Sequence, residues 1–354
     1  MVRATSVHPS LSLSISPVST HQERMAEEKS TMKAIQYPSY GGGAGALKHV
    51  EVPIPSPKKN EILLKLEAAS INPIDWKIQV GMLRPFLPPK FPFTPVADVA
   101  GEVAELGPEV SAFKKGDKVV GMLNFFNGGG LAEFAVAPIG LMVTRPPELS
   151  PPEAASLPTA AMTALQALKA AGTKFDATDK PSNILITAAS GGVGHYALQL
   201  AKHAGHHVTA TCGARNIELI KSLGADEVLD YKTPEGAKLW SPSGKKYDAV
   251  IHCTTNISWS TFEPNLSTEG KVIDITPTLQ TMATSMLKKL TFSKKKLVPL
   301  LLSPKSEDMK FLVDMAQEGK LKTIVDSTHR LTKAEEAWAR SMSGHATGKI
   351  VVEM

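Results

Sequence analysis

The sequence has few cysteines and no long apolar run. Its 354 residues include only two cysteines, Cys212 and Cys253, which lie far apart without a CxxC pair or a histidine-rich partner. A disulfide framework and a cysteine-rich zinc site are therefore not indicated, and a reducing compartment fits best. A membrane-spanning helix needs about 20 apolar residues. The strongest apolar stretch, residues 297–302, is much shorter and follows three lysines, so the sequence predicts a soluble or peripheral protein.

The chain also lacks a basic tract interleaved with aromatic residues, the pattern that stacks nucleobases. Its formal net charge of +5 at pH 7 raises the question of an acidic partner. The excess is dispersed, and its densest group contains Lys288, Lys289 and residues 294–296. We therefore expect no nucleic-acid partner. Two interpretations of this lysine group stay open: a solvated face, and a peripheral contact with an anionic plastid envelope.

Acidic residues are scarce at the N-terminus. Among the first 24 residues, which are rich in Ser, Pro and His, Glu23 is the only acidic one. This composition is typical of a plastid transit peptide. Met25 begins a second candidate start, Met-Ala-Glu-Glu, so the upstream piece is equally compatible with a disordered or untranslated segment. We expect a chloroplast protein, of envelope or stroma, if the extension targets it, and a cytoplasmic protein otherwise.

The pattern of secondary structure changes near residue 153. Before that point, short alternating segments bounded by Gly, Pro or Asp are typical of β structure; they lie at residues 33–37, 61–68, 99–106, 118–122 and 132–137. After it, helices are predicted at 154–171, 193–204, 216–223, 307–318 and 333–342. Strands are predicted between them at 183–188, 207–211, 227–229, 249–253, 271–275 and 349–352. Such alternation predicts parallel strands with right-handed crossovers, and hence a doubly wound sheet.

A glycine-rich turn follows the predicted strand at 183–188. Its sequence is Ala189-Ser190-Gly191-Gly192-Val193-Gly194, and a predicted helix comes next. A phosphate needs backbone N–H groups at the positive end of a helix, with no side chain in the way. Gly191 permits that approach, and Gly194 permits close packing of helix on strand. Because Ala189 replaces the first glycine of GxGxxG, the strand–turn–helix context carries the prediction of a dinucleotide site.

The end of the second parallel strand distinguishes NADH from NADPH. NAD-binding proteins place an acidic residue there to hold the ribose hydroxyls. This chain instead has Thr211-Cys212-Gly213-Ala214-Arg215-Asn216. Arg215 can offer a planar fork to a 2′-phosphate, which an acidic side chain would repel. We therefore expect NADPH as the cofactor; the alternative role of Arg215 is to cap or decorate the next helix.

Further motifs occur in the order found in a known family. They are Phe-Lys-Lys-Gly-Asp-Lys-Val at 113–119, Ala-Glu-Phe at 132–134 and the glycine turn at 188–194. With them the chain, from about residue 32 to its end, resembles the quinone oxidoreductase branch of the medium-chain dehydrogenase/reductase superfamily. Residues 40–43, 72–77 and 345–349 resemble its plant members in particular, the chloroplast-envelope quinone oxidoreductase homologues and the plastid alkenal/one reductases.

The resemblance implies an α/β fold with the active site in a cleft between two domains. One is a split, GroES-like β-barrel catalytic domain, and the other is a Rossmann cofactor domain with a doubly wound parallel sheet. The expected order is an N-terminal extension at 1–31, the catalytic domain at 32–155, the NADPH-binding domain at 156–305 and the rest of the catalytic domain at 306–354. Related proteins are often dimers, so a homodimer is a candidate assembly.

The resemblance also implies which residues bind the cofactor. Lys77 is expected at the nicotinamide half, and Gly192 with Val193 at the pyrophosphate. The adenosine phosphate is assigned to Gly213, Ala214, Arg215, Asn216 and Tyr231. The nicotinamide side is assigned to Ile275, Gly348 and Lys349, and the glycine turn contributes Ser190, Gly191 and Gly194 as well.

Departures from the superfamily's zinc enzymes bear on the chemistry. Zinc alcohol dehydrogenases carry Gly-His-Glu where this chain has Val96-Ala97-Asp98, and a cysteine near Asn72, where this chain has none. Too few ligands remain for zinc, so we expect no metal. The expected reaction is NADPH-dependent reduction of the C=C bond of α,β-unsaturated carbonyls (enones, enals and oxylipin-derived ketols) by hydride transfer. Lys77 is the first candidate to stabilise the developing enolate. Asn72 is a second candidate, whose amide would contact the substrate or the nicotinamide.

Several alternatives stay open at this point. NADPH-dependent quinone reduction at the same site is the nearest, and a non-catalytic NADPH-binding protein on a membrane or on RNA is another. Tyr40 is expected to anchor the barrel, and His195 to face phosphate or solvent at its helix start. Asp75 and Asp98 are expected to serve turns or barrel packing. We identify no proton donor, and solvent would suffice.

Overall fold

The computed structural model describes residues 30–176, 178 and 180–354. The candidate targeting segment at residues 1–24 lies outside the described residues. Three sheets of two, seven and six strands make up the fold. The smallest pairs β1 (Thr31–Gln36) with β2 (Lys48–Pro53) in antiparallel orientation. Among the described residues, every helix is too short or too polar to cross a bilayer.

The seven-stranded sheet takes strands from both ends of the chain. Numbered along the chain, its strands are β3 (Glu61–Ile71), β4 (Asp98–Leu106), β5 (Lys118–Met122), β6 (Phe134–Pro138), β7 (Met142–Thr144), β14 (Val325–Arg330) and β15 (Lys349–Glu353). Their order is β14-β15-β3-β4-β5-β7, and β6 also pairs with β3. Because β15 lies antiparallel beside β3, the C-terminal segment completes the sheet of the GroES-like part, as expected.

The six-stranded sheet is parallel throughout. Its strands are β8 (Asn183–Ile186), β9 (His207–Cys212), β10 (Glu227–Asp230), β11 (Tyr247–His252), β12 (Leu266–Asp274) and β13 (Lys296–Pro299). The order β10-β9-β8-β11-β12-β13 is that of a Rossmann fold, with the reversal between β8 and β11. Ligands of such sheets bind outside the carboxyl ends of the strands at this reversal. The doubly wound sheet predicted from the sequence is therefore confirmed.

Helices cover and connect the sheets. They are α1 (Pro73–Gln79), α2 (Pro151–Ala155), α3 (Pro158–Ala171), α4 (Gly194–His203), α5 (Ile217–Ser222), α6 (Pro234–Ala237), α7 (Trp259–Phe262), α8 (Leu279–Leu290), α9 (Ser306–Gln317) and α10 (Ala334–Met342). The largest apolar cluster joins Ala68 and Ala100 of the seven-stranded sheet to Leu165 on α3 and Ile186 on β8. Helix α3 thus packs between the two large sheets.

Two of the differences from the sequence-based expectation concern helices α3 and α8. The single helix predicted over 154–171 is two helices, because Pro158 begins a new helix where its missing N–H costs nothing. Helix α8 was not predicted, although its apolar residues follow helical spacing. The reason is that its apolar side chains face outward: Ser285 is the only buried residue of the helix. Prediction from apolar faces that pack on the core therefore does not identify this helix.

Candidate cofactor site and active site

The glycine turn lies between β8 and α4, at the reversal of the parallel sheet. The N–H of Gly191 donates to the carbonyl of Ala188 at 2.9 Å, which closes the turn. A Cβ added to Gly194 would lie 2.3 Å from the carbonyl oxygen of Ala188 and 2.7 Å from the Cα of Ala189. The close packing predicted for Gly194 is therefore present, and any side chain there would collide with backbone.

The residues expected at the adenosine phosphate come together where β9 and β10 end. A Cβ built on Gly213 would lie 3.5 Å from the ring of Tyr231, so the two are neighbours. Arg215 is exposed, and its Nη2 donates to the carbonyl of His345 at 2.5 Å. Asn216 is buried and accepts from the hydroxyl of Thr347 at 3.2 Å. The guanidinium of Arg215 thus stands at the surface beside the C-terminal segment.

The same C-terminal segment contacts the glycine turn directly. The N–H of Gly348 donates to the carbonyl of Ser190 at 2.8 Å. Gly348 has a φ of +87°, and a Cβ there would lie 2.1 Å from the carbonyl oxygen of Ile324, so this position requires glycine. A Cβ on Gly192 would meet the side chain of Lys349 at 3.3 Å. The structure therefore brings together the turn and the pair Gly348–Lys349.

Behind this junction lies a buried polar cluster that sequence reasoning missed. The Lys349 ammonium donates to Asn72 Oδ1 at 2.5 Å, and Asn72 Nδ2 donates to Asp98 Oδ2 at 2.8 Å. Asp98 also accepts from the hydroxyl of Thr159 at 2.6 Å. The role in turns or packing expected for Asp98 is thus incomplete, because its carboxylate bonds to site residues. The available signal was a charged residue at the first position of each of two largely apolar strands, Asp98 in β4 and Lys349 in β15.

Burial controls the protonation of this cluster. It raises the pKa of Asp98 and lowers the pKa of Lys349, each partly offset by the opposite charge of the other. Asp75 is also buried, and desolvation raises its pKa to about 7 although it accepts from the N–H of Asn72. Two carboxyl groups and one ammonium therefore share a region without solvent.

The remaining expected residues lie on nearby elements. Lys77 is half-buried on α1, with its Nζ 5.8 Å from the centre of the Trp76 ring, and burial lowers the pKa of its ammonium. Asn72 caps the start of α1, so Lys77 lies about one and a half helical turns from the buried cluster. Ile275 directly follows β12, where its N–H donates to the carbonyl of His252 at 3.3 Å.

Two residues outside the expected set also have clear positions. Tyr40 donates to the carbonyl of Leu87 and meets Phe91 edge-on at 4.8 Å, which agrees with an anchoring role. His195 does not face phosphate or solvent as expected. It is fully buried, its Nδ1 lies 2.9 Å from the carbonyl of Gly191, and its Nε2 accepts from the N–H of Ile324. Burial lowers its pKa to about 4, so the ring is neutral and structural.

The residues present fit a nicotinamide dinucleotide better than a metal. The glycine turn is a cradle that side chains would fill, at the start of a helix. The described residues contain no group of three or more His, Cys, Asp or Glu side chains that could hold a metal ion. Asn72 and Ala97, at the positions where zinc enzymes of the superfamily place ligands, supply neither a thiolate nor an imidazole. We therefore derive no step through zinc.

Comparison with known proteins agrees with this architecture. The family described as alcohol dehydrogenase GroES-like domain matches residues 58–147, and the family described as zinc-binding dehydrogenase matches residues 223–352. The chain is similar to the chloroplast envelope quinone oxidoreductase homolog of Arabidopsis thaliana, with 67% identity over 91% of this chain and 98% of that protein. It is 31% identical to the 2-methylene-furan-3-one reductase of Solanum lycopersicum, over 95% of this chain and 84% of that protein.

A solved structure has the same fold as this chain. The quinone oxidoreductase from Coxiella burnetii superposes with a TM-score of 0.84 and 33% identity, over 92% of this chain and all of that one. A relative from Spinacia oleracea, 63% identical over 91% of this chain and 98% of that protein, is likewise named chloroplastic. The protein is thus an NAD(P)H-dependent oxidoreductase of the chloroplast. The chain belongs to the quinone oxidoreductase branch of the medium-chain dehydrogenase/reductase superfamily.

Proposed function

We propose that the protein reduces the C=C bond of α,β-unsaturated carbonyls, such as enones, enals and oxylipin-derived ketols, with NADPH. The observation that carries the proposal is the junction of the glycine turn with Lys349 and Asn72, which sets cationic and amide groups, rather than metal ligands, beside the cofactor site. A C=C bond conjugated to a carbonyl can accept hydride without a metal, provided that the developing oxyanion is stabilised. The tomato relative is named for reduction of a compound of this class, which supports the proposal.

NADPH is proposed over NADH because of Arg215. Its guanidinium is exposed at the end of β9, and only one of its N–H groups is engaged in the hydrogen bond to His345 that fixes its direction. A guanidinium has five N–H donors, so several remain for a 2′-phosphate. Arg215→Ala should raise the KM for NADPH by about tenfold or more and leave the KM for NADH nearly unchanged. Steady-state kinetics with both cofactors measures this, and equal changes for the two would refute the 2′-phosphate role.

Lys77 and Asn72 have different proposed roles in the reaction. A bound nicotinamide supplies the hydride. We propose that the ammonium of Lys77 stabilises the negative charge that develops on the carbonyl oxygen, helped by the lowered dielectric that its partial burial indicates. Asn72 keeps its place in the site by holding Lys349, and solvent delivers the final proton.

Lys77→Met tests the oxyanion role. Loss of one stabilising group in an oxyanion site costs about 10²- to 10³-fold in kcat. We expect a fall of that order with a smaller change in the KM for NADPH. Lys65→Met is the matched control, because Lys65 is an exposed lysine of β3 away from the site. An unchanged kcat in Lys77→Met would exclude Lys77 as the stabilising cation.

The assay for the activity itself is loss of NADPH absorbance on a panel of enones, saturated carbonyls and quinones, with NADH in parallel and with or without a chelator. Chelator-insensitive turnover of enones supports the proposal. Chelator-sensitive oxidation of alcohols would show a catalytic metal and refute the proposal. Turnover of quinones alone would favour the second candidate, quinone reduction, which the names of the Arabidopsis and Coxiella relatives support. One- versus two-electron products would then define that reaction.

We also propose that a second copy of the chain covers helix α8. Large apolar side chains are exposed there, with Leu279 at 90% and Phe292 at 92%. They are Leu279, Met282, Met286, Leu287, Leu290 and Phe292, which we name the α8 face. Strand β13, beside it, is the last strand of its sheet, so one edge is free to pair with another strand. Continuity of the sheet together with an apolar face favours a homodimer.

An anionic envelope lipid is the competing occupant of the α8 face. Two of the nearby lysines are engaged within the chain, since Lys288 and Lys295 both bond to Glu263. This weakens the case for a lipid surface. Light scattering after gel filtration should give a dimer for the wild type and a monomer for Met286→Glu. The control is Phe86→Glu, at a residue outside the α8 face that is 74% exposed, against 63% for Met286. A monomeric wild type that sediments with phosphatidylglycerol vesicles would overturn the dimer in favour of the membrane.

A further inference from the structure

A chain of hydrogen bonds links the Asp98 carboxylate to Lys349. Asp98, at the start of β4, is fully buried and accepts three hydrogen bonds. Two come from Thr159 at the start of α3, from its hydroxyl at 2.6 Å and its backbone N–H at 3.0 Å. The third comes from Nδ2 of Asn72, which lies between β3 and α1 and caps that helix. The Asn72 amide in turn accepts from Lys349, the first residue of β15.

These bonds fix the orientation of the Asn72 amide. The Asp98 carboxylate can only accept, and the Lys349 ammonium can only donate. Asn72 must therefore turn its NH₂ group toward Asp98 and its oxygen toward Lys349. The reverse orientation would set acceptor against acceptor on one side and donor against donor on the other. Because the side chains are 5% exposed for Asn72 and 3% for Lys349, water cannot relieve such a mismatch.

The position of Lys349 links this arrangement to the cofactor. Its aliphatic stem lies along Gly192 of the glycine turn, and the preceding Gly348 bonds to Ser190 in the same turn. A buried ammonium needs a nearby negative charge, and Asp98 supplies one across the Asn72 amide. Asp75 also attracts this ammonium, but only Asp98 bonds to the amide that holds it, so removal of the Asp98 charge would weaken the hold on the lysine.

We propose that Asp98 is a positioning residue for the cofactor: through Asn72, it holds the Lys349 ammonium and so keeps the stem of that side chain against the glycine turn. Thr159 contributes by fixing the carboxylate from the start of α3, the helix that packs between the two large sheets. Asp98 itself touches neither substrate nor cofactor. The inference rests on the proposed binding of a nicotinamide cofactor at the glycine turn, and it does not depend on which substrate is reduced.

The test is a double-mutant cycle on cofactor binding. Asp98→Asn and Lys349→Met are titrated with NADPH, singly and together, by fluorescence of the bound nucleotide. We expect about a tenfold or larger rise in the Kd for NADPH in each single variant. The double variant should bind no more weakly than Lys349→Met, because Asp98 acts through that lysine. Asp117→Asn, which removes a carboxylate from a turn of the catalytic domain, is the matched control and should bind as the wild type.

Additive losses in the double variant, or an unchanged Kd in Asp98→Asn, would overturn the proposal. Since Asp98→Asn could also impair folding, Thr159→Val provides a milder change that removes one of the three donors. It should weaken NADPH binding by about fivefold, whereas Thr159→Ser, which keeps the hydroxyl, should restore wild-type binding. Equal binding by the valine and serine variants would also count against it. Because the readout is binding, absence of enone reduction would refute the proposed reaction and leave this result intact.

Discussion

Within the glycine turn, the steric requirement for glycine is strictest at Gly194, and Gly194→Ala tests it. A Cβ at this position would lie 2.3 Å from the carbonyl oxygen of Ala188 and 2.7 Å from the Cα of Ala189. A carbon–oxygen contact without a conventional hydrogen bond is comfortable at about 3.3 Å, so the two backbones must separate by about 1 Å. Neither neighbour is a flexible side chain that could turn away. The helix α4 must therefore shift relative to β8.

Such a shift affects both stability and binding. Overpacking of this kind costs about 1–3 kcal/mol, which lowers Tm by roughly 1–4 °C in a chain of this length. The shift also moves the N–H groups at the start of α4, which we propose as the phosphate site. Misaligned charge-assisted hydrogen bonds should raise the Kd for NADPH by about tenfold or more.

Thermal unfolding and NADPH titration by fluorescence measure the two effects separately. Gly140→Ala is the matched control, because a Cβ at Gly140 meets nothing within 4 Å. We expect it to behave as the wild type in both measurements. A Gly194→Ala variant that melts and binds NADPH like the wild type would refute the packing argument and the placement of the cofactor at this turn.

Two further predictions concern pH. Burial lowers the pKa of His195 to about 4, so below about pH 6.5 the unfolded state binds the extra proton and the folded state does not. The free energy of unfolding therefore falls by roughly 3 kcal/mol in total as the pH falls toward 4. In urea unfolding, His195→Gln should reduce this loss of stability at acid pH, and an unchanged loss would contradict a buried neutral ring. Asp75 has its pKa raised by burial to about 7, so the folded state binds the proton more tightly and loses stability as the pH rises from about 4 through 7. Asp75→Asn should accordingly gain in Tm relative to the wild type between pH 5 and pH 8, whereas a constant difference would show that Asp75 is ionised throughout.

Local chemistry explains why the cofactor turn was predictable. The strand, the turn and the start of the helix are contiguous, so the requirement for glycine at Gly194 follows from residues within a few positions of it. The alternation of helices and strands around it likewise fixes the parallel sheet. The end of β9 was found in the same way, which placed Arg215 at its tip. In each case the interacting residues are neighbours in the sequence.

The buried cluster could not be found by such reasoning. Asn72 and Lys349 are separated by 277 positions, and no spacing rule connects them. A single charged residue in an apolar strand indicates that a partner exists, because an unpaired buried charge is too costly. It does not say which residue that partner is. From one sequence, Asp98 can therefore be assigned only to packing. The position of His195 beneath the turn could not be predicted for the same reason.

The cluster also gives a physical reason why the C-terminal strand β15 pairs with β3. Strand β15 pairs with β3 on one side and β14 on the other, which holds its first residue, Lys349, beside Asn72. The residues just before it contact the segments that follow β8 and β9, since Gly348 bonds to Ser190 and Thr347 to Asn216. One short segment therefore joins the catalytic sheet, the glycine turn and the adenosine side of the site. Because the proposed reduction needs the nicotinamide and the catalytic side chains in fixed register, we expect the segment at 345–349, which ends at the first residue of β15, to hold the two halves of the proposed site together.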